Sequence, residues 1–202
     1  MSCLSLAAVV LAAGKSQRMG RNKLLLEVGG RCILDWVLDA LDGSIVSEVY
    51  VVLGHKPEEL RPLVEDHRAE VVFNKEYEKG MTSSINVGLS RVTADASFIV
   101  LGDQIGLDPE LLERMAKALE SDPMALIVSP VYKGKRGHPI LFRKALYWEI
   151  LSLDEGETLR DVVMKHEESH IHIDGNMWCV IDIDTPEEFE RVSRLFEAGP
   201  GA

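Results

Sequence analysis

The sequence is poor in cysteine and has no apolar run long enough to cross a membrane. Its three cysteines, Cys3, Cys32 and Cys179, are odd in number and have no paired spacing. This argues against a disulfide framework or a zinc knuckle, so we predict buried structural thiols in a reducing cytoplasm. The apolar run at residues 6–13 follows no cationic segment and is far shorter than the roughly 20 residues of a membrane span. We therefore expect neither a signal peptide nor a membrane anchor.

Positive charge is also scarce. The 202 residues contain 22 lysines and arginines against 33 aspartates and glutamates, which gives a formal net charge of -11. A surface of this sign repels nucleic acid and anionic membranes, so we expect neither as a partner. An ordinary share of hydrophobic residues, 46%, is enough for a sizeable core.

The first 26 residues contain no acidic residue, although they carry several lysines and arginines. The first acid is Glu27, and the segment after an apolar strand carries Lys15, Arg18, Arg21 and Lys23 around Gly14. A strand that ends in a basic, glycine-bearing loop is a common phosphate site, because backbone N–H groups and side-chain cations converge on one anion. We interpret this loop as the binding site of a nucleoside triphosphate.

The loop matches neither of the common phosphate motifs. A Walker A loop needs a glycine where Val9 stands, and the dinucleotide pattern G-x-G-x-x-G is absent. A second acid-free stretch, residues 123–148, carries Lys133, Lys135, Arg136, Arg143 and Lys144. Two basic stretches on an acidic protein suggest two anionic ligands, or two ends of one.

Hydrophobic periodicity predicts strands that alternate with helices. The predicted strands are residues 4–11, 48–53, 71–73, 97–101, 125–129, 170–173 and 178–181. The predicted helices are residues 33–41, 57–67, 83–90, 109–120, 144–151, 158–165 and 186–196, with a turn or hairpin across 131–142. This order indicates an α/β fold with a largely parallel sheet and helices on both faces. Ligands bind such sheets beyond the carboxyl ends of the strands.

Carboxylates follow two of these strands. Asp103 stands just past residues 97–101, where a lone carboxylate is a natural ligand for Mg²⁺ beside phosphate oxygens. Asp182 and Asp184 follow residues 178–181, and residues two apart on a strand face the same way. Either of them can complete a metal site with Asp103. The alternative for Asp184 is a role in the turn before the helix cap at Thr185.

Other polar groups allow both a functional and a structural interpretation. The turn at residues 80–86 includes Ser83 and Ser84, and it either presents a helix end to an anion or simply caps the helix. His138, flanked by cations and glycine, either contacts a second substrate or lies in a surface turn. His166, His170 and His172 have a spacing that can hold a metal, but no cysteine is near, and we interpret them as solvated side chains.

Five segments together resemble one known family. They are Leu-Ala-Ala-Gly-Lys-Ser-Gln-Arg-Met-Gly at residues 11–20 with Lys23, Gly-Met-Thr-Ser-Ser at 80–84, Gly-Asp-Gln at 102–104, Arg-Gly-His-Pro at 136–139, and Asp-Ile-Asp-Thr-Pro at 182–186. In this order they resemble the molybdenum-cofactor nucleotidylyltransferases (MobA-like NTP transferases), and most of all the molybdopterin cytidylyltransferase branch. The resemblance extends from about residue 6 to residue 190.

The resemblance implies a three-layer Rossmann-like (GT-A-type) nucleotidyltransferase fold with a mostly parallel central sheet. It implies a single domain over residues 1–197 and a disordered tail at 198–202. It also implies a cytoplasmic enzyme that uses Mg²⁺ to move CMP from CTP to the phosphate of molybdopterin. Catalysis is thereby assigned to Arg18, Lys23 and Asp103, and the metal to Asp103 with Asp182 or Asp184.

The same resemblance assigns the two substrates. Acceptor binding falls to Arg136 and His138, and nucleotide binding to Leu11, Ala12, Ala13, Gly14, Arg18, Lys23, Ser83, Ser84 and Gly102. Guanylyl-transferring members of the family usually carry glycine at the position of Ala13, so Ala13 favours cytosine. The resemblance further allows a transient contact with a molybdenum oxidoreductase.

The chain departs from the family pattern at two places. Ile105 replaces a proline after Gly-Asp-Gln, and Asp-Glu-Gly-Glu-Thr at residues 154–158 replaces a run that contains arginine, for which Arg160 is a candidate substitute. Three alternatives therefore stay open. They are GTP as the donor, another acceptor such as a sugar phosphate or phospho-acid, and a non-catalytic factor that matures or delivers the cofactor.

Overall fold

A computed structural model describes residues 4–154 and 156–198. Its elements are β1 (Leu6–Ala12), β2 (Glu27–Val28), β3 (Arg31–Cys32), α1 (Ile33–Asp42), β4 (Glu48–Leu53), α2 (Pro57–Glu65), β5 (Glu70–Phe73), α3 (Met81–Leu89), β6 (Ala96–Leu101), α4 (Pro109–Ser121), β7 (Ile127–Tyr132), β8 (Lys135–Arg136), β9 (Ile140–Arg143), α5 (Tyr147–Leu151), α6 (Leu159–Lys165), β10 (His170–Asp174) and α7 (Pro186–Ala198).

A central sheet of eight strands organises the fold. Its order is β10-β7-β9-β6-β1-β4-β5, with β8 paired to β7. The strands from β6 to β5 are parallel, and β10 is parallel to β7, whereas β9 runs antiparallel between β6 and β7. The three-layer α/β architecture with a mostly parallel sheet is therefore confirmed.

Strand β1 lies at the centre because it is apolar on both faces. Alternate residues such as Ala8 and Val10 join a core with α1, α2, α4 and α7, while Ala7 and Val9 join a second core with α3, α5 and α6. A strand covered by helices on both faces reads as a continuous apolar run. Strands β4 and β6 flank β1, so the ends of all three meet at one edge of the sheet.

The chain between residues 131 and 143 forms more than the predicted turn or hairpin. Strand β7 continues to Tyr132, β8 pairs with it, and β9 enters the main sheet between β6 and β7. A further short hairpin, β2–β3, turns at Gly29 and Gly30.

The predicted strand at residues 178–181 is wrong. The chain forms a 3-10 segment over Met177–Val180, which begins where the Asn176 side chain accepts a hydrogen bond from the Trp178 N–H. Trp178 packs edge-on to Phe196 at 5.5 Å, and Gly106 makes room for its ring, since a Cβ there would lie 2.2 Å from it. Packing of the Trp178 ring against Phe196 and Gly106 accompanies a 3-10 segment in place of the predicted strand.

The carboxy-terminal helix begins as the sequence predicts. Glu188 Oε2 accepts from the N–H groups of Asp184 and Thr185, and Thr185 Oγ1 accepts from the Glu188 N–H, which is a capping box. The helix ends at Ala198, the first residue of the predicted tail, and residues 199–202 lie outside the described part of the chain.

Two of the three cysteines lie in the described part of the chain, and both are free thiols. Cys179 is buried and Cys32 half-buried, while Cys3 lies outside the described residues. Over residues 4–154 and 156–198, no helix combines the length and the apolar character needed to cross a bilayer.

Candidate active site

The loop after β1 is shaped by its own backbone. The Ala13 carbonyl accepts from the His55 N–H at 3.1 Å, and Ser16 adopts the left-handed region with φ of 49°. Ser16 Oγ then accepts from the Lys23 N–H at 3.2 Å, which folds the loop back on itself. The loop encloses a cavity of about 340 Å³, lined by Gly14, Lys15, Ser16, Gln17, Arg18, Met19, Lys23 and Asp184.

Lys23 joins three of the predicted site residues. Its Nζ lies 2.5 Å from Asp103 Oδ2 and 2.9 Å from Asp184 Oδ1. The lysine and Asp103 side chains are only 20% and 13% exposed. Burial disfavours the ammonium, but the two carboxylates outweigh it and raise the pKa of Lys23. The ammonium therefore stays charged at neutral pH.

Arg18 belongs to the same network but is exposed. Its guanidinium donates to Asp184 Oδ2 at 2.6 Å, and its side chain is 69% exposed. The hydrogen bond from Lys23, aided by the Arg18 charge, lowers the pKa of Asp184 against the effect of burial. Asp184 is thus a carboxylate with two cationic partners.

Asp182 has a different environment from Asp184. Across the part of the chain that the structure describes, its carboxylate forms no ion pair or hydrogen bond. Partial burial, together with the nearby Asp184 and Asp103 carboxylates, raises the pKa of Asp182. The argument that strand alternation points both carboxylates the same way is wrong, because the preceding segment is a 3-10 turn.

The donors at this point suit Mg²⁺. That ion takes one or two carboxylates and completes its shell with phosphate oxygens and water. Asp103 and Asp182 repel one another, and a bound cation relieves such repulsion. Asp184 already neutralises Lys23 and Arg18, so it is the poorer candidate of the two later aspartates.

Ala12, Ala13 and Gly102, which are predicted for nucleotide binding at the ends of β1 and β6, have buried or absent side chains, so only their backbone groups can contact a ligand. Gly102 N–H donates to the Leu11 carbonyl at 3.1 Å. A Cβ at Gly102 would lie 2.9 Å from that carbonyl oxygen, so the two strands can approach this closely only at a glycine. The side chains of Ala12 and Ala13 are buried, and the Ala13 methyl packs beside Gly54.

A second, larger cavity lies at the start of α3 and holds the predicted acceptor residues. It has a volume of about 1380 Å³, and its lining includes Gly80, Ser83, Asn86, Arg136, His138 and Arg160. Ser83 therefore faces this cavity. Ser84 is only 5% exposed and accepts a hydrogen bond from Asn74 Nδ2 at 2.9 Å, so it anchors the turn from inside.

His138 is held by its backbone. Its N–H donates to the Cys179 carbonyl at 2.8 Å, and its own carbonyl accepts from Gln104 Nε2 at 2.6 Å. The ring Nδ1 is buried without a hydrogen-bond partner in the described structure. Burial lowers the pKa of His138, although the Asp103 and Asp182 charges act in the opposite direction. The imidazole is therefore neutral at pH 7.

The second basic stretch, which suggests a second anionic ligand or a second end of one, uses two of its cations for structural contacts. Arg143 donates to the carbonyls of Ala125 and Leu119, and Lys144 donates to that of Thr93. Arg136 lines the large cavity, where its guanidinium pairs with Glu167. Only the glycine-rich part of the stretch reaches the site.

The altered segment at residues 154–158 borders the large cavity. The Asp154 N–H donates to Glu157 Oε2 at 2.8 Å, and the Glu157 carbonyl accepts from Thr82 Oγ1. Glu155 lies outside the described residues. Arg160, the candidate substitute for the missing arginine, is exposed and lines the cavity.

Two residues at the site are not predicted from the sequence. Asn74 is 2% exposed and donates to both Ser83 and Ser84, and Gln104 is 5% exposed and holds His138. Both are amides directly after or near a strand end, which is the only local signal for them. Their role depends on partners that are distant in sequence, and periodicity carries no information about those.

The prediction of solvated histidines is wrong for His170. Its side chain is 1% exposed, because β10 packs against β7 and brings the ring onto Ser129. His172 is 34% exposed, and His166 pairs with Glu149 at 2.9 Å.

Comparison with known proteins agrees with this arrangement. The family model described as "MobA-like NTP transferase domain" matches residues 8–170. The molybdenum cofactor cytidylyltransferase of Escherichia coli is 26% identical over 183 residues, covering 90% of this chain and 92% of that protein. A probable molybdenum cofactor guanylyltransferase of Methanosarcina acetivorans is 29% identical over 205 residues, covering 92% and 89%.

Solved structures show the same fold. The crystal structure of Rv0371c from Mycobacterium tuberculosis superposes with a TM-score of 0.81 at 26% identity, covering 96% of this chain and 100% of that one. The same protein solved as a complex with manganese gives a TM-score of 0.74 at 24% identity, with 96% and 100% coverage.

Proposed function

Because the chain belongs to the MobA-like NTP transferase family, we propose that it is the cytidylyltransferase of the molybdenum cofactor. In this reaction CMP passes from CTP to the phosphate of molybdopterin in the cytoplasm, and pyrophosphate leaves. The observation that carries the proposal is the Lys23 ammonium held between Asp103 and Asp184 beside the basic loop. Triphosphate and metal are thereby brought to one point.

The reaction needs positioning and charge neutralisation more than covalent help. An oxygen of the acceptor phosphate attacks the α-phosphorus of CTP, and the bond from that phosphorus to the bridging oxygen of pyrophosphate breaks. The acceptor phosphate is already ionised at neutral pH, so no general base is required. Lys23 and the loop N–H groups stabilise the negative charge that develops on the phosphates.

Arg18 can exchange its contact with Asp184 for contacts with the bound triphosphate. It is bound to Asp184 only in an exposed ion pair, and such pairs contribute little stability. Incoming phosphate oxygens compete for its guanidinium, with which they form paired hydrogen bonds. Lys23 is less exposed and stays beside Asp103, so it fixes the position of the α-phosphate.

Asp103 and Asp182 are the residues that we assign to a divalent metal, Mg²⁺ in the cell. These two carboxylates would hold the ion, which would supply positive charge to the phosphate oxygens of the nucleotide. Among the described residues the Asp182 carboxylate forms no ion pair, whereas Asp184 is held by both Lys23 and Arg18. Asp184 is therefore a positioning residue for the two cations.

The two cavities divide the substrates between them. The triphosphate belongs to the loop cavity, which Gly14, Arg18 and Lys23 line. Ala12, Ala13 and Gly102 stand at the strand ends beside the loop and are assigned to the nucleotide through their backbone. The base faces the turn at Ser83, and the acceptor takes the large cavity beside Arg136 and His138. Ala13, at the start of the loop, stands where guanylyl-transferring relatives usually carry glycine, which favours cytosine as the base.

A nucleotide panel tests the donor. Thermal unfolding is measured with CTP, GTP, ATP or UTP and Mg²⁺, since a ligand of the folded state raises the midpoint by mass action. We expect CTP to give the largest shift, and Asp103→Asn to reduce it while the exposed control Asp66→Asn does not. A larger shift with GTP refutes the base assignment. CTP binding without pyrophosphate release in the presence of molybdopterin indicates instead a delivery factor, which contacts a molybdenum oxidoreductase.

A further inference from the structure

A cluster of two histidines and one glutamate lies outside the nucleotide site. Glu167, His170 and His172 each offer one ligand atom, and these atoms lie within 4.8 Å of one another. Glu167 belongs to the 3-10 turn before β10, and the histidines stand two apart on β10. Because side chains alternate along a strand, both rings project from the same face of the sheet.

The ring nitrogens that face away from Ser129 converge on the Glu167 carboxylate. Its Oε1 also accepts a hydrogen bond from Arg136, so a bound ion would take Oε2 or displace that guanidinium. His170 Nδ1 lies 3.8 Å from Glu167 Oε2, and His172 Nε2 lies 3.6 Å from Glu167 Oε1. These separations are too long for direct hydrogen bonds. They suit ligands that share an ion, because Zn²⁺ lies about 2.0–2.2 Å from each nitrogen or oxygen ligand.

His170 provides a second, independent sign of a missing ligand. Its side chain is 1% exposed, and its Nδ1 has no hydrogen-bond partner in the described structure. An unsatisfied buried polar atom costs free energy, and native proteins rarely leave one without a reason. A metal ion bound to Nδ1 satisfies it.

Ser129 on β7 lies within hydrogen-bond distance of both rings. Its Oγ lies 2.8 Å from His170 Nε2 and 3.4 Å from His172 Nδ1. A hydroxyl oxygen can accept from both rings, and both N–H groups then point at Ser129. The opposite nitrogens, which face Glu167, are left with free lone pairs. Metal-binding histidines are commonly oriented in this way through their second nitrogen.

We propose that Glu167, His170 and His172 bind a divalent transition ion, Zn²⁺ in the first place, at a site distinct from the Mg²⁺ site. Two imidazoles and a carboxylate are a donor set that Zn²⁺ uses when it keeps a position open for another ligand. Mg²⁺ prefers oxygen donors, so the two sites select different ions. Glu167 also lines the large cavity, so an ion held by it borders the proposed acceptor site.

Direct metal binding tests the proposal. The tag-free protein is stripped with a chelator, and Zn²⁺ is titrated against a chromophoric chelator with millimolar Mg²⁺ present to occupy the nucleotide site. We expect one equivalent of Zn²⁺ to bind. His172→Gln and Glu167→Gln should each weaken binding at least tenfold, whereas His166→Gln, a neighbouring histidine outside the cluster, should leave it unchanged. Ser129→Ala should weaken it about 10- to 100-fold by releasing the rings.

Co²⁺ absorption, measured together with circular dichroism, distinguishes the loss of a metal ligand from the loss of folding. Co²⁺ in place of Zn²⁺ should give visible absorption bands that disappear in His172→Gln but persist in His166→Gln, while circular dichroism of all variants stays the same. Absence of Zn²⁺ binding to the wild-type protein refutes the proposal. So does binding that His172→Gln and Glu167→Gln leave unchanged. Neither result bears on nucleotide transfer, which is tested separately.

Discussion

The Lys23 ammonium lies 2.5 Å from Asp103 and 2.9 Å from Asp184, two carboxylates that are far apart in the sequence. Asp103 follows β6, and Asp184 precedes α7. One lysine thus connects the basic loop with both acidic segments. The contact between Lys23 and Asp103 joins the residue that we propose for the phosphate to one that we propose for the metal.

Removing the Lys23 charge should mainly slow the reaction. In Lys23→Gln we expect pyrophosphate release to fall about 10²- to 10³-fold in kcat, because one preorganised cationic donor is lost at the developing charge. The control is Lys117→Gln, at an exposed lysine on α4 that pairs with Glu113 at 3.4 Å. Equal steady-state rates for the two variants contradict the role of Lys23.

The two late aspartates should differ in their response to metal. Asp182→Asn is expected to raise the Mg²⁺ concentration needed for half-maximal activity at least tenfold, because a metal ligand is lost. Asp184→Asn should instead raise the KM for the nucleotide, because Arg18 and Lys23 lose the carboxylate that orients them. Activity measured over a Mg²⁺ series separates the two effects. If Asp184→Asn shows the larger metal effect, the assignment is reversed.

Much of this arrangement can be predicted from the sequence, because local signals mark it. The apolar run of β1, the acid-free loop and a carboxylate after β6 are each visible as composition at a strand end. The segment around Trp178 is a case in which local signals give the wrong structure. The segment is apolar enough for a strand, but packing of the Trp178 ring against Gly106 and Phe196 produces a 3-10 turn.

Long-range partners account for what the sequence does not predict. The link from Asn74 to Ser83 and Ser84 needs β5 and α3 to be docked, and burial of His170 needs β7 beside β10. Arg143 looks like a ligand-binding cation in the sequence, yet it donates to carbonyls near the end of α4. Residue type alone does not separate these roles.

Ala13 should influence the choice of base. Its methyl packs beside Gly54 at the start of the phosphate loop, so Ala13→Gly opens space there. We expect the ratio of kcat/KM for CTP to that for GTP to fall at least fivefold in this variant. Ala145→Gly, at an exposed alanine outside the loop, is the control and should keep the wild-type ratio. An unchanged ratio in Ala13→Gly removes the basis for the CTP preference.

Glu149 should make stability depend on pH in a predictable direction. Hydrogen bonds from Lys165 and His166 lower the pKa of Glu149 from its usual 4.5. Its stabilising contribution is therefore present above pH 4.5 and is lost as the pH falls through the lowered pKa. Its partner Lys165 is exposed, so solvent screens the ion pair and the expected size is only about 0.5 kcal/mol.

Urea unfolding of Glu149→Gln and wild type measures this contribution. The difference in the free energy of unfolding should be largest near neutral pH and should shrink as the pH is lowered below the ordinary pKa of a glutamate. Glu120→Gln, at an exposed position of α4, should show no such trend. A difference that grows on acidification is the opposite of the expected sign.

Multiple-turnover pyrophosphate release with CTP, molybdopterin and Mg²⁺ tests the central claim most directly. The wild-type protein and the Asp66→Asn control should release pyrophosphate steadily, only when both substrates are present. Asp103→Asn should reduce the rate at least a thousandfold while its circular dichroism spectrum stays unchanged. Full activity of Asp103→Asn, or no release by the wild-type protein under these conditions, contradicts the account.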